Sequence, residues 1–245
     1  MKTTLKLAIL GNGTLAKATS ECCAQHHEIV TCAFDQPEVV WICHDTPLLP
    51  TGEPDSEWVL AMIRRHVADF DNRPLFLVSS QMPVGTTAKL EEEFPSESFA
   101  HSPENIRVAT AVADFNQQAR IVVGRRASVW DEILKTLFAP FTEHLILTDP
   151  ETAEMVKHAL NCWLGMNIAF INEVARICSA VDAEASKVAL ALQLDRRVGT
   201  NAPLKPGRPF GGGHLERDIH NVVGVAHRYG ISVPIIAHIL ESNRQ

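Results

Sequence analysis

The chain has 245 residues, is 46% hydrophobic and 21% charged, and carries a formal charge of −7. That is enough apolar material for one large or two modest domains, and it excludes a disordered linker or a disulfide-stapled miniprotein. An acidic balance with no long basic run leaves no footprint for a nucleic-acid backbone or an anionic membrane, so a small-molecule or protein partner is expected.

Apolar stretches break well before the roughly 18 residues of a membrane span, and no signal peptide or anchor is visible at the start. Cys22, Cys23, Cys32, Cys43, Cys162 and Cys178 show no C-x-x-C pair and no zinc-like spacing. They are expected to be reduced thiols in a cytoplasmic protein with no metal site.

Strand candidates in chain order are Leu5–Leu10, Ile29–Ala33, Val39–Cys43, Leu75–Ser79, Ile121–Val123 and Leu145–Leu147. Helix-like segments lie between several of them, Ser56–Phe70 and Ser128–Phe138 being the clearest. The alternation predicts an α/β domain with a largely parallel sheet. Gly11-Asn12-Gly13-Thr14-Leu15-Ala16 follows the first strand and opens a helix, the context of a G-x-G-x-x-A dinucleotide fingerprint. A plain strand-to-helix turn is the alternative.

From Asp149 the texture changes. Pro150-Glu151-Thr152 starts a helix whose apolar spacing runs on through Ile177, about thirty residues against an average of about 11 or 12. A boundary is therefore placed at 149, giving domains 1–149 and 150–245. Further helices are expected at Ala183–Leu192, His214–Tyr229 and Val233–Ser242, with a Pro- and Gly-rich loop over Gly199–Gly213. Lys157 and Asn161, four apart on the long helix, share a face on which an ammonium and an amide can hold one oxygen; a solvated lysine with a polar neighbour is the alternative. Phe210-Gly211-Gly212-Gly213 abuts a helix whose first turns carry His214 and Asp218, a substrate loop or else a flexible loop with a capping acid. His26-His27 and His44-Asp45 read as turn residues.

In order, Ser79-Ser80-Gln81-Met82-Pro83-Val84-Gly85-Thr86-Thr87, Ser102-Pro103-Glu104, Arg120–Gly124, Lys157–Asn161, Asn172-Glu173, Leu194–Gly199, the Phe-Gly-Gly-Gly segment and Asp218 resemble the UDP-glucose/GDP-mannose dehydrogenase family. The resemblance implies a Rossmann-type NAD domain, an all-helical dimerisation domain on one long central helix, hence a homodimer through 150–180, and a second Rossmann-like domain for the nucleotide sugar. It also implies roles. Gly11, Gly13, Thr14, Leu15 and Pro83 fall to NAD; Lys157 and Asn161 to the oxyanion; Asp218 to proton transfer or water orientation; and Glu104 to water activation. Phe210, Gly211 and Gly212 fall to the substrate loop, and Arg197 to the arginine that reaches substrate across the dimer.

Several positions depart from the family pattern. His214 stands where the family's nucleophilic cysteine is expected, and imidazole does not form the thiohemiacetal and thioester of the four-electron route. Arg217, Gln81 and Val108 replace a lysine, a threonine and a second glutamate. The acid for the adenosine ribose falls on Ala33, with Asp35 as substitute. Only Asp35–Glu38 or so separate two strands that the family joins through a further strand and helices. A parallel crossover takes a dozen or more residues, so a hairpin or a lost strand is expected. The sequence ends at Gln245, so the nucleotide-sugar domain is expected to be absent.

Two readings lead, beside a third in which another chain completes an active sugar dehydrogenase. One is a small NAD-dependent oxidoreductase making a single two-electron step at a CH–OH group of a sugar or hydroxy acid, with Lys157 as acid/base and His214 as contact or relay. The related β-hydroxyacid dehydrogenases resemble this arrangement. The other is a catalytically inactive dimer acting as a binding or regulatory subunit.

Overall fold

The structure, a computed structural model, describes residues 3–47, 49, 54–104, 106–211 and 213–245, with the side chain of Val108 left aside. The chain divides into two compact units, one ending at Lys157 and one starting at His158.

The first unit is an α/β layer. Its strands are β1 (Lys6–Leu10), β2 (Glu28–Val30), β3 (Val39–Ile42), β4 (Leu75–Val78), β5 (Ser98–His101), β6 (Ile121–Arg125) and β7 (Leu145–Thr148). They form one sheet in the order β2-β1-β3-β4-β5-β6-β7. The first five are mutually parallel, β6 runs antiparallel to β5, and β7 follows β6 in parallel.

The central strands are apolar without alternation because both of their faces are covered. Val39, Trp41, Leu75 and Leu77 point into one core, with Leu15, Cys22, Phe115, Leu134 and Phe138. Val40, Ile42, Phe76 and Val78 point into the other, with Val59, Ile63, Val67 and Leu90. The helices supplying these residues are α1 (Thr14–Cys23), α4 (Ala111–Asn116) and α5 (Asp131–Phe138) on the first face, and α2 (Ser56–Asp69) and α3 (Thr86–Glu93) on the second.

The short link after β2 is no hairpin. β2 stops at Val30 instead of running to Ala33, and β2 and β3 flank β1 in parallel registers, Ala8 facing both Val30 and Val40. With strands of three and four residues, the segment 31–38 with its 3-10 turn at Ala33–Asp35 suffices for the return. Of the two expected outcomes the lost strand is the one realised, and β2 forms the sheet edge.

The long helix α6 (Pro150–Ala180) begins in the first unit and continues in the second, where α7 (Ala185–Leu194), α8 (His214–Arg228) and α9 (Pro234–Asn243) follow. Cys162, Ala169, Ile219, Val222, Ile239 and Leu240 make one core there; Ile171, Ala189, Ala202 and Leu204 make another. Among the described residues no helix is long and apolar enough to cross a membrane.

The join between β6 and α6 is tight. A Cβ on Gly124 would fall 2.4 Å from Pro150 Cα and 2.7 Å from the Asp149 carbonyl oxygen, both backbone atoms. Gly124→Ala is therefore expected to destabilise the protein by at least about 2 kcal/mol. Denaturant unfolding checks this, and a change under about 0.5 kcal/mol, the scale of surface substitutions, would contradict it.

Candidate active site

Because β1, β3, β4 and β5 are parallel, their carboxyl ends open on one edge of the sheet, where α/β proteins place ligands. β1 runs into Gly11, whose φ of +140° and close approach exclude a side chain: a Cβ would lie 2.5 Å from the Cys43 carbonyl oxygen. Gly13 is the N-cap of α1, which has no side-chain cap. Gly11 and Thr14 are exposed and Leu15 is buried beneath them. This is the geometry in which peptide N–H groups at a helix start meet a phosphate, so the turn fits a dinucleotide.

The adenosine end fits less well. Asp35 sits in the 3-10 turn after β2, and its carbonyl accepts from Lys6 Nζ at 3.3 Å, Lys6 being the first residue of β1. The turn thus folds back along β1 rather than standing over the strands' carboxyl ends.

The ends of β3, β4 and β5 are cross-tied. Trp41 Nε1 donates to Ser79 Oγ at 2.8 Å, and Ser79 Oγ donates to the Ser102 carbonyl at 2.6 Å. Thr46 Oγ1 donates to the Gln81 carbonyl at 2.7 Å. Pro83 opens the turn into α3, its carbonyl accepting from Thr86 Oγ1 at 2.6 Å.

Two carboxylates then organise α6. Glu154 is 1% exposed, and its oxygens accept from Gly85 N at 2.6 Å, Thr87 N at 2.8 Å and Thr87 Oγ1 at 2.7 Å. It thereby caps α3 and seats the first turns of α6 in the first unit. Three residues on, Lys157 Nζ donates to the Glu104 carbonyl at 2.8 Å and to Glu104 Oε1 at 3.2 Å, with the lysine 15% and the glutamate 26% exposed. Glu104 lies three residues past the end of β5, so the lysine meets the carboxyl edge of the sheet.

In the second unit Asp218 is fully buried and accepts from His158 Nδ1 at 2.8 Å and from Asn161 Nδ2. A carboxylate only accepts, which fixes the Asn161 amide with its nitrogen toward Asp218. Cys162 lies beside this cluster, and burial together with the Asp218 charge pushes its thiol up to about 11. Sequence reasoning missed both Glu154 and His158.

Phe210 packs against the Cys162–Ile219–Ile239 core while Asn243 clamps its backbone with two bonds of 3.0 Å. Gly211 is exposed, and Gly212 lies outside the described residues. His214 is exposed at the start of α8, and its Nδ1 lies 3.3 Å from Arg217 Nη2 on the same helix. Arg197 is an outward guanidinium, 89% exposed and paired with Asp195 at 2.7 Å.

A glycine turn at a helix start, a parallel sheet with both faces covered, and a lysine held at the sheet's carboxyl edge define a dinucleotide-binding α/β protein joined to a helical unit. Residues 12–142 match the NAD-binding domain of the UDP-glucose/GDP-mannose dehydrogenase family and residues 151–245 match its central domain. The chain belongs to that family.

Among its relatives are UDP-glucose 6-dehydrogenase TuaD of Bacillus subtilis, 31% identical over 220 residues, and UDP-glucose 6-dehydrogenase of Rickettsia felis, 31% identical over 215 residues. The alignments cover 87% and 85% of this chain but 48% of each relative. The chain thus spans about half the length of the curated relatives it matches. The fold is that of a UDP-glucose dehydrogenase from Pyrobaculum islandicum, with a TM-score of 0.84 at 22% identity over 98% of this chain and 68% of that one. A UDP-D-ManNAc dehydrogenase from Pyrococcus horikoshii superposes with a TM-score of 0.80 at 20% identity, again over 98% and 68%.

Burial raises the Glu154 carboxyl above its ordinary 4.5, against the opposing pull of the Thr87 and Gly85 bonds. A raised folded-state value means stability is fully present below the unfolded value and lost as pH rises through the folded one. Stability of the wild type is therefore expected to fall relative to Glu154→Gln as pH rises above about 4.5, while Glu154→Ala, which leaves the α3 donors unpaired, costs roughly 2–4 kcal/mol. Urea unfolding across that range checks both; a pH-independent difference between wild type and Glu154→Gln would contradict the first.

Proposed function

We propose that the protein is an NAD-dependent oxidoreductase that makes a single two-electron step at a CH–OH group of a compact substrate, a sugar or a hydroxy acid. The observation that carries this reading is the Lys157–Glu104 contact at the carboxyl edge of a sheet whose glycine turn fits a dinucleotide. When bound, the nicotinamide supplies the hydride acceptor or donor.

The chain's own residues handle the proton. Lys157 Nζ, held by the Glu104 carbonyl, donates to the substrate oxygen and stabilises its negative charge, and Glu104 Oε1 is in reach to exchange the proton with it. Within the second unit, Asn161 is held by Asp218, its amide nitrogen turned toward that carboxylate. Asp218 itself, fully buried against His158 and Asn161, acts by orienting these side chains.

Thiol chemistry is unfavourable at Cys22, Cys23, Cys43 and Cys162. Burial and the Asp218 charge push the Cys162 thiol up to about 11, and burial also raises Cys22, Cys23 and Cys43, which disfavours their thiolate forms at neutral pH. The exposed His214 offers a contact or a relay. Lys157→Met is expected to lower turnover at least about a hundredfold while leaving NADH affinity within about twofold. Nicotinamide absorbance across a panel of hydroxy acids and sugars checks this, and unchanged turnover would sink the assignment.

We further propose that the active form is a homodimer through α6. Trp163, Met166, Phe170 and Ile177 are 43%, 36%, 49% and 64% exposed at helical spacing, an apolar stripe that water would otherwise cover. Phe170→Glu combined with Ile177→Glu is expected to halve the mass seen by light scattering, whereas an unchanged mass would overturn this interface. A dimer without turnover on any substrate would favour the second reading, an inactive binding subunit.

A further inference from the structure

The residue after His44 intrudes on the glycine turn. A Cβ built on Gly13 would lie 2.0 Å from Asp45 Oδ2, 2.4 Å from its Cγ and 2.6 Å from its Oδ1. The carboxylate therefore fills the space where a Gly13 side chain would stand, at the start of α1, whose N-cap carries no side-chain bond. A helix N-terminus attracts an anion, and here the chain supplies one of its own.

Asp45 is itself exposed, but the backbone on both sides of it is tied down. His44 Nε2 hydrogen-bonds His66 Nε2 at 2.9 Å, and its ring packs edge-on against Trp58 at 5.7 Å. On the other side Thr46 Oγ1 is bound to the Gln81 carbonyl, and Cys43, one residue before His44, lies directly under Gly11. The path from β3 thus aims residue 45 at the glycine turn.

We propose that Asp45 sets the charge tolerance of the dinucleotide site: its carboxylate lies at the Gly13 helix start, where a pyrophosphate is bound in glycine-turn sites, and a dinucleotide binds by displacing it. This rests on the cofactor reading above and adds a residue that tunes it. Two anions do not share one helix N-terminus, so only the fraction of molecules with Asp45 swung aside is competent, and apparent affinity drops by that fraction. Repulsion between the carboxylate and the phosphates adds to the loss and is screened by salt.

The test is a titration of NADH, followed by its fluorescence, into wild type, Asp45→Asn, Asp45→Ala and Asp45→Glu at low and high ionic strength. Thermal melting confirms that each variant folds. Asn and Ala are expected to tighten NADH binding on the order of tenfold, while Glu, which keeps the charge, stays near wild type. Raising the salt is expected to narrow the gap between wild type and Asn, which a steric role for the side chain does not produce.

Equal or weaker binding by Asn and Ala, with wild type still binding, overturns this proposal alone and makes Asp45 a ligand contact or a bystander. Absence of binding by every variant up to millimolar NADH overturns both this proposal and the cofactor reading.

Discussion

The buried carboxylate of Glu154 is the constraint on which the candidate site depends. It lies in the second turn of α6 yet takes its hydrogen bonds from Gly85 and Thr87, at the start of α3. Burying a charge is costly unless donors surround it, and three donors here make the burial tolerable. The start of a 31-residue helix is thereby locked to the segment after β4, and Lys157, three residues on, is delivered to Glu104. Without that lock the lysine is one more flexible surface cation.

A similar device recurs in the second unit. Asp218 on α8 gathers His158 and Asn161 from α6. Gly165 keeps α6 bare where Ile219 approaches, a Cβ there coming within 3.1 Å of Ile219 Cδ1. Acceptor-only groups without solvent access decide which way the neighbouring amide and imidazole face, and hence what they present to a ligand. Fixing polar groups in advance is how a site avoids reorganisation during reaction.

Much of this arrangement is legible in the sequence. The glycine turn, the strands β1, β3, β4, β6 and β7 and the long α6 announce themselves by apolar periodicity and helix-start residues, whereas the spacing of Lys157, Asn161 and Asp218 fits a solvated lysine and a capping acid equally, and only the family resemblance singles them out. β5 was hidden because Ser98-Phe99-Ala100-His101 is four residues long with no β-branched side chain, so its strand character comes from pairing with β4. α3, rich in charge, and the six-residue α4 were equally faint. Glu154 and His158 read as ordinary polar positions on an amphipathic helix; only tertiary packing buries them. The signal available for Glu154 was an acid inside the apolar frame, three residues before the lysine. Asp45 read as a turn residue because its approach to Gly13 joins segments that are distant in the chain.

The central claim is that this shortened sheet still presents a working dinucleotide site next to Lys157. Isothermal titration of NADH into the purified protein tests it most directly. The account predicts saturable, one-site binding in the micromolar range that is lost in Gly11→Val, whose side chain would collide with the Cys43 carbonyl. Heat changes indistinguishable from dilution up to millimolar NADH would contradict it.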